Sequence, residues 1–163
     1  MSTPFEPIIN KFLIKIEKDK SFFSYYNVPL DEAMDLAKEQ AKNYLLEAVE
    51  ILTDKCIPDI DFFDYDVDKN CFNFDLTAKE QGLLASLMYE VYFDRDLVLL
   101  KAFKIALTPN TLNQFSPASE RKTFGVMLKD IKAENEDKIS KYAAVNRITG
   151  QRKFLDYSAL AEE

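Results

Sequence analysis

Apolar residues recur at steps of three and four through most of this chain, and the step changes to two only once. Over residues 5–18, Phe5, Ile8, Ile9, Phe12, Leu13 and Ile16 share one helical face, while Lys11, Lys15 and Lys18 fall elsewhere on the cylinder. Thr3 followed by Pro4 suits an N-cap and a first-turn proline, whose missing N–H is not needed there. SFFSYYNVP breaks the period and reads as an aromatic-rich connection. From Leu30 to Asp54 a second helix is predicted, with Met34, Ala37, Ala41, Tyr44, Leu45, Ala48 and Leu52 on its inner face and Pro58 limiting its extension. In DIDFFDYDVDKNCFNFDL, Asp64, Asp66 and Asp68 alternate with Phe63, Tyr65 and Val67, and a DKN turn leads to Phe72 and Phe74. That is a β-hairpin pattern.

Thr77 with Glu80 forms a capping box, which opens the longest helix. Leu84, Leu87, Met88 and Val91 begin its stripe; Leu99, Leu100, Phe103 and Leu107 continue it, with a bend expected at FDRD. Thr108-Pro109-Asn110 ends it, and Ser116-Pro117 supplies an N-cap and first-turn proline for a last helix. Phe124, Met127, Leu128, Ile131, Ile139 and Tyr142 line that helix. The expected fold is mainly α: a four-helix bundle-like domain over residues 1–143, an inserted β-hairpin at about 60–76, and an extended C-terminal arm over 144–163. A two-stranded hairpin is not stable alone, so either the helices or neighbouring copies must cover its aromatic face.

The arm has an unusual composition. Phe154, Leu155, Tyr157 and Leu160 are apolar anchors without a helical period, and Arg147, Arg152 and Lys153 add a small basic patch. Such a tail is too apolar for an ordinary disordered end and too short to fold alone, so docking on another subunit or partner is its simplest use. A nucleic-acid arm would carry a net basic excess, which residues 144–163 lack. Thr149-Gly150 supplies a turn within the arm. Removing residues 147–163 is expected to leave the helical domain folded.

With 163 residues, 47% of them apolar, the chain can bury a real core. It has no His and no Trp, so triads and metal sites built on imidazole are excluded. Cys56 and Cys71 have neither CxxC spacing nor His partners, and read as two reduced thiols. The opening MSTPFEPIINKF has no basic stretch leading into an apolar one, and no run approaches about 18 apolar residues. A soluble, non-secreted chain without a membrane partner is therefore expected. Gly82, Gly125 and Gly150 are too scattered to cradle a phosphate, and a close helix–helix approach is the expected reason for the first two. No residue set converges on a reaction, so no catalytic residue, cofactor or metal is assigned.

The net charge is −7, and residues 59–76 alone carry six acidic groups against one basic. A chain of this kind is poorly suited to holding a phosphate backbone. Asp64, Asp66, Asp68 and Asp75 imitate the first, third, fifth and twelfth positions of a calcium loop, but Lys69 stands where the sharp turn requires Gly, and Asp75 is shorter than the usual Glu. The alternating pattern favours a strand whose aspartates face water.

The segments PFEPIINKFLIKIEKDKSFF, NYLLEAVEIL, FNFDLTAKEQGLLASLMYEVYFDRDL and LNQFSPASERKTFGVMLKDIKAENEDKISKY together cover most of the chain. In helix type and spacing they resemble the head-to-tail connector (adaptor, or neck) proteins of tailed bacteriophages. Where similar proteins often carry Trp in LASLMYEVYF, this chain has Tyr92 or Phe93. The resemblance implies a non-enzymatic virion protein, made in the host cytoplasm and placed in the neck between capsid and tail. It implies a homo-oligomeric ring, commonly dodecameric, contacting the portal protein and a downstream neck or tail protein. NRITGQRKFLDYSAL resembles the docking arm of that family. DNA would pass through without specific binding, and Asp64, Asp66 and Asp68, with Lys69 at the turn, would line or approach the channel and repel phosphate. The alternatives are a tail-completion protein of the virion and a calcium-responsive helical interaction module.

Overall fold

The computed structural model describes residues 2–20, 22–25, 27–106 and 118–153, with the side chains of 99–106 and 118–121 left aside. The chain is mainly helical with a small three-stranded antiparallel sheet. In order, its elements are β1 (Thr3–Pro4), α1 (Glu6–Lys15), α2 (Leu30–Lys55), β2 (Tyr65–Asp66), β3 (Cys71–Phe72), α3 (Ala78–Ala106) and α4 (Ala118–Ala143). The sheet order is β1-β3-β2, with Thr3 and Tyr65 both opposite Phe72, and Pro4 and Asp66 both opposite Cys71.

The start of the chain departs from the helical expectation. Thr3 is not an N-cap: it lies in β1, and its Oγ1 accepts a hydrogen bond from the Leu76 N–H at 2.8 Å. Pro4 is tolerated there because β1 is an edge strand, which can spare a ladder N–H. The first helix instead starts after Phe5, with Pro7 in its first turn. This third strand helps to cover the hairpin. Phe72 is fully buried, with Phe5 5.0 Å and Phe62 6.5 Å away between ring centroids. Edge-to-face rings at such spacings add to the area they bury.

A second aromatic cluster joins the helices. Phe12 of α1 stands edge-on to Phe22, Tyr44 of α2 and Tyr92 of α3, at 6.0, 5.8 and 6.2 Å between centroids. Phe22 comes from the aromatic connection, and both Phe22 and Tyr92 are buried. Nearly every residue of α3 from Leu83 to Tyr92 is buried, because α1, α2 and α4 all pack on it. A helix enclosed on several sides cannot show a clean stripe.

Two inner-face assignments change. On α2, Met34 is 38% exposed, and the neighbouring Ala33 is buried in its place, with Val49 added lower down. Gly82 and Gly125 do not mark close helix approach: a Cβ built on either meets no atom within 4 Å. Leu107, the Thr108-Pro109-Asn110 stop and the Ser116-Pro117 cap lie outside the described residues.

Phe12→Ala is expected to cost about 3–5 kcal/mol, as for a buried aromatic with no way to collapse the cavity. Met34→Ala should stay within about 0.5 kcal/mol. Urea titrations followed by circular dichroism check both values.

Candidate functional site

The acidic hairpin is organised by its own backbone. Asp66 Oδ1 accepts the N–H groups of Asp68 and Lys69, both at 3.0 Å, and its Oδ2 pairs with Lys69 Nζ at 2.7 Å. These contacts, the Lys69 ammonium first, hold the Asp66 carboxyl below the usual range. Asn70 closes the turn in the left-handed region at φ 53°, which Asn tolerates better than most residues. Asp64 Oδ1 accepts from Asn73 Nδ2 at 2.7 Å. Asp64, Asp68 and Lys69 are exposed and Asp66 is partly so, but Phe63 and Val67 are also in water, 51% and 42% exposed. Only Tyr65 of the alternating apolar set turns inward, so the strict two-residue alternation holds over a single step. Among the described residues no three acidic or cysteine side chains converge as a cation site, which leaves the calcium alternative without a ligand cluster.

The other candidate group lies at the C-terminal segment. Residues 144–153, expected as the start of a free arm, fold back on the helices as a small hairpin. Val145 pairs with Arg152, Asn146 N–H donates to Gln151 O at 2.7 Å, and Lys153 N–H donates to Ala144 O at 2.8 Å. Asn146 Oδ1 accepts from the Ile148 and Thr149 N–H groups, and Gly150 takes the turn at φ 69°. The Thr149-Gly150 turn is therefore where the sequence puts it, but inside a packed hairpin.

Arg147 anchors this hairpin. Its Nε donates to Glu80 Oε1 at 2.6 Å, and an Nη2 hydrogen bond reaches the Asp75 carbonyl. Glu80 is fully buried, and the Arg147 side chain is only 15% exposed. Tyr142 OH donates to the same Glu80 oxygen at 3.0 Å, while Glu80 Oε2 accepts the Thr77 N–H at 2.7 Å. Thr77 Oγ1 returns the bond from Glu80 N–H at 3.3 Å, completing the capping box. One carboxylate thus caps α3, holds the end of α4 and fixes the hairpin. Burial, then the Glu80 carboxylate, raises the Tyr142 phenol well above its ordinary value.

Asp59 provides a second tie. Its Oδ2 accepts the Arg147 N–H at 2.9 Å and its Oδ1 pairs with Lys153 Nζ at 2.5 Å. Lys153 foremost, then that N–H, lowers the Asp59 carboxyl. Arg152 is exposed at the same edge. Phe154, Leu155, Tyr157 and Leu160 lie outside the described residues.

Sequence reading missed the ion-pair role of Glu80 and the buried Asn135. Glu80 lies four residues before Leu84 on the α3 stripe, and Asn135 lies four after Ile131 and four before Ile139. A polar residue at an apolar-stripe position is the signal in both cases. Asn135 Nδ2 donates to Glu90 Oε2 at 2.8 Å and to the Ser86 carbonyl at 3.2 Å, so α4 is keyed to α3 by a second buried polar contact.

Two grooves border these contacts. One, about 600 Å³, lies between α2, α3 and the 22–25 connection, where Arg95 lies 4.6 Å from the Tyr44 ring and pairs with Glu47. Its acids and aromatics include no nucleophile with a base. The other, about 410 Å³, lies between the start of α3, the end of α4 and the 144–153 hairpin. Cys56 and Cys71 are free thiols, and burial raises the Cys56 thiol above its ordinary value, so it is a poor nucleophile at neutral pH. No helix of the described residues is long and apolar enough to cross a membrane. Against protein-family models, curated proteins and solved structures, the chain finds no match.

Arg147→Ala should cost about 3–5 kcal/mol, because it leaves Glu80 buried and unpaired. Adding Glu80→Leu should recover part of that loss, and a double-mutant cycle from urea midpoints measures the coupling. Tyr142 sets a pH dependence. Its folded pKa lies above its unfolded value of about 10, so its contribution is fully present below that pH and falls as pH rises beyond it. Urea midpoints at pH 9 and pH 11 should drop less for Tyr142→Phe than for the parent chain.

Proposed function

We propose that the chain is a structural virion protein: a four-helix bundle-like body that forms a ring between the portal vertex of a tailed phage capsid and the tail. The ring leaves a channel for DNA and carries no chemistry of its own. The observation that carries this reading is the rooted tail. Residues 144–153 are fastened to the helices by Glu80 and Asp59, and they launch a following stretch rich in apolar anchors. A firmly held root limits the volume an arm explores, and so raises its effective concentration at a partner. Ile57 and Ile148, 91% and 88% exposed, lie close in sequence to Asp59 and Arg147 at the root and suit an interface.

The acidic hairpin takes the channel role. Asp64 and Asp68 are exposed, and β2 and its pairing with β3 hold them on an ordered turn. Carboxylates facing passing DNA repel phosphate and keep it from sticking. A ring map that put Asp64, Asp66 and Asp68 on the outer rim would remove this part of the proposal.

The structure moves the cut that tests the arm. Deletion from residue 147 takes Arg147 away from Glu80 and confounds docking with unfolding, so truncation belongs after Lys153. Negative-stain electron microscopy of the full chain mixed with a portal ring should show a second ring seated on the portal. The chain truncated after Lys153 should keep its melting temperature and lose attachment. A full chain that neither forms rings nor binds a portal would overturn the reading.

A further inference from the structure

We propose that the groove between α3, α4 and the 144–153 hairpin is the acceptor for residues 154–163 of a second copy of this chain. The proposal deepens the arm of the ring reading and rests on it; portal capture is scored separately below.

The chemistry of the groove sets its occupant. Leu83, Val145 and Tyr142 give it an apolar floor, and Lys79, Lys138 and Lys141 stand along its sides. Lys138 and Lys141 are held by Glu134 and Asp137 of α4 at 2.7 and 2.5 Å, while Lys79 makes no ion pair with a described residue. Residues 154–163, FLDYSALAEE, carry Asp156, Glu162 and Glu163 with no base, between Phe154, Leu155, Tyr157 and Leu160. The near-neutral charge of the whole tail thus conceals two halves. The basic half folds back on the body of its own chain, and the acidic, apolar half matches an apolar groove edged by lysines, Lys79 first among them.

Gly82 is the second observation. It lies in the groove wall on an exposed helical face, and a Cβ added there would meet nothing within 4 Å. Glycine inside a helix costs about 1 kcal/mol against Ala, and no close helix contact accounts for this one. An incoming side chain or backbone that must approach α3 closely does.

A neighbour's tail suits the placement better than the chain's own. Lys153 is pinned on Asp59, and neither residue borders the groove; of the returning strand, only Gly150 does. A tail seated in the next copy is a head-to-tail contact. Such contacts close a ring where the rotation between copies closes, as the ring reading requires. Ten extended residues span up to roughly 33 Å, enough to cross to a neighbour.

Sedimentation velocity on full-length protein from about 1 to 100 μM tests this, with circular dichroism melts confirming that each variant folds. Gly82→Phe adds a ring at the groove wall, where a Cβ meets no atom within 4 Å, and Lys79→Glu with Lys141→Glu reverses its rim. Phe154→Ser with Tyr157→Ser removes the tail anchors. The parent chain should self-associate, more weakly as salt rises. Each variant should associate roughly thirtyfold more weakly or worse, the scale of a central anchor. The decisive sample mixes Gly82→Phe protein with the Phe154→Ser/Tyr157→Ser protein. One supplies a sound tail and the other a sound groove, so the mixture should form dimers and stop there. A monomeric parent chain, variants that associate like the parent, or a mixture that stays monomeric would each overturn the proposal, the last because it places the tail elsewhere or in its own groove. Rings on a portal that persist unchanged with Gly82→Phe would overturn this site and leave the connector reading standing. Self-association that follows the groove without any portal binding would do the reverse.

Discussion

A buried carboxylate must be answered by hydrogen bonds and by an opposite charge, and Glu80 is the point on which the described C-terminal half of this protein depends. It accepts from the Thr77 N–H, Tyr142 and Arg147, which belong to the cap of α3, the end of α4 and the hairpin that follows α4. Removing an ion from water costs several kcal/mol, and only a complete set of partners offsets that cost. Each partner is therefore constrained by the other two. Helix α3 must begin where Thr77 can cap it, α4 must end with Tyr142 facing it, and the chain beyond α4 must turn back to bring Arg147 in. Such a contact adds little net stability relative to an apolar substitute, but it specifies one arrangement and penalises others.

The helices were legible because their signals are local. Period, capping box and proline position are set within a few residues, and α2 and the start of α3 lie within a residue or so of their sequence-based limits. The small sheet was legible only in part. The alternation of Asp64, Tyr65 and Asp66 marks β2, but nothing local in Thr3-Pro4 says that it pairs with residue 72, because register across such a separation depends on where α1 and α3 deliver the two ends. For the same reason Thr3 resembled a helix cap: its hydroxyl does accept a backbone N–H, but that of Leu76. The tail failed as a single unit for an electrostatic reason. Arg147 and Lys153 were counted with the residues after them, whereas their partners, Glu80 and Asp59, lie 67 and 94 positions earlier. Composition gives a sum of charge and not its pairing.

Placement of charge also separates the two ends of function. Among the acids of the hairpin, Asp66 is paired with Lys69 and two backbone N–H groups of the same turn, and Asp64 accepts from Asn73. Their exposed members remain available to act at a distance, as repulsion does. The acids that matter for cohesion, Glu80 and Asp59, are instead tied to cations from the far end of the chain. Under the proposed ring reading, that division places long-range repulsion on an exposed turn and short-range pairing at the root of an arm.

A rooted arm also bears on how a ring could close. If residues 144–153 were loose, the tail could reach its own groove and several positions on a neighbour, and association would yield chains of variable pitch. With Arg147 and Lys153 fixed, the tail leaves each copy from one point. A constant rotation per copy is common to rings and helical filaments, and a ring results where that rotation brings the last copy back to the first. Under this reading, the desolvation cost accepted at Glu80 is recovered as angular precision between subunits. That places a buried ion pair of modest net stability at the one position where directional control has a use.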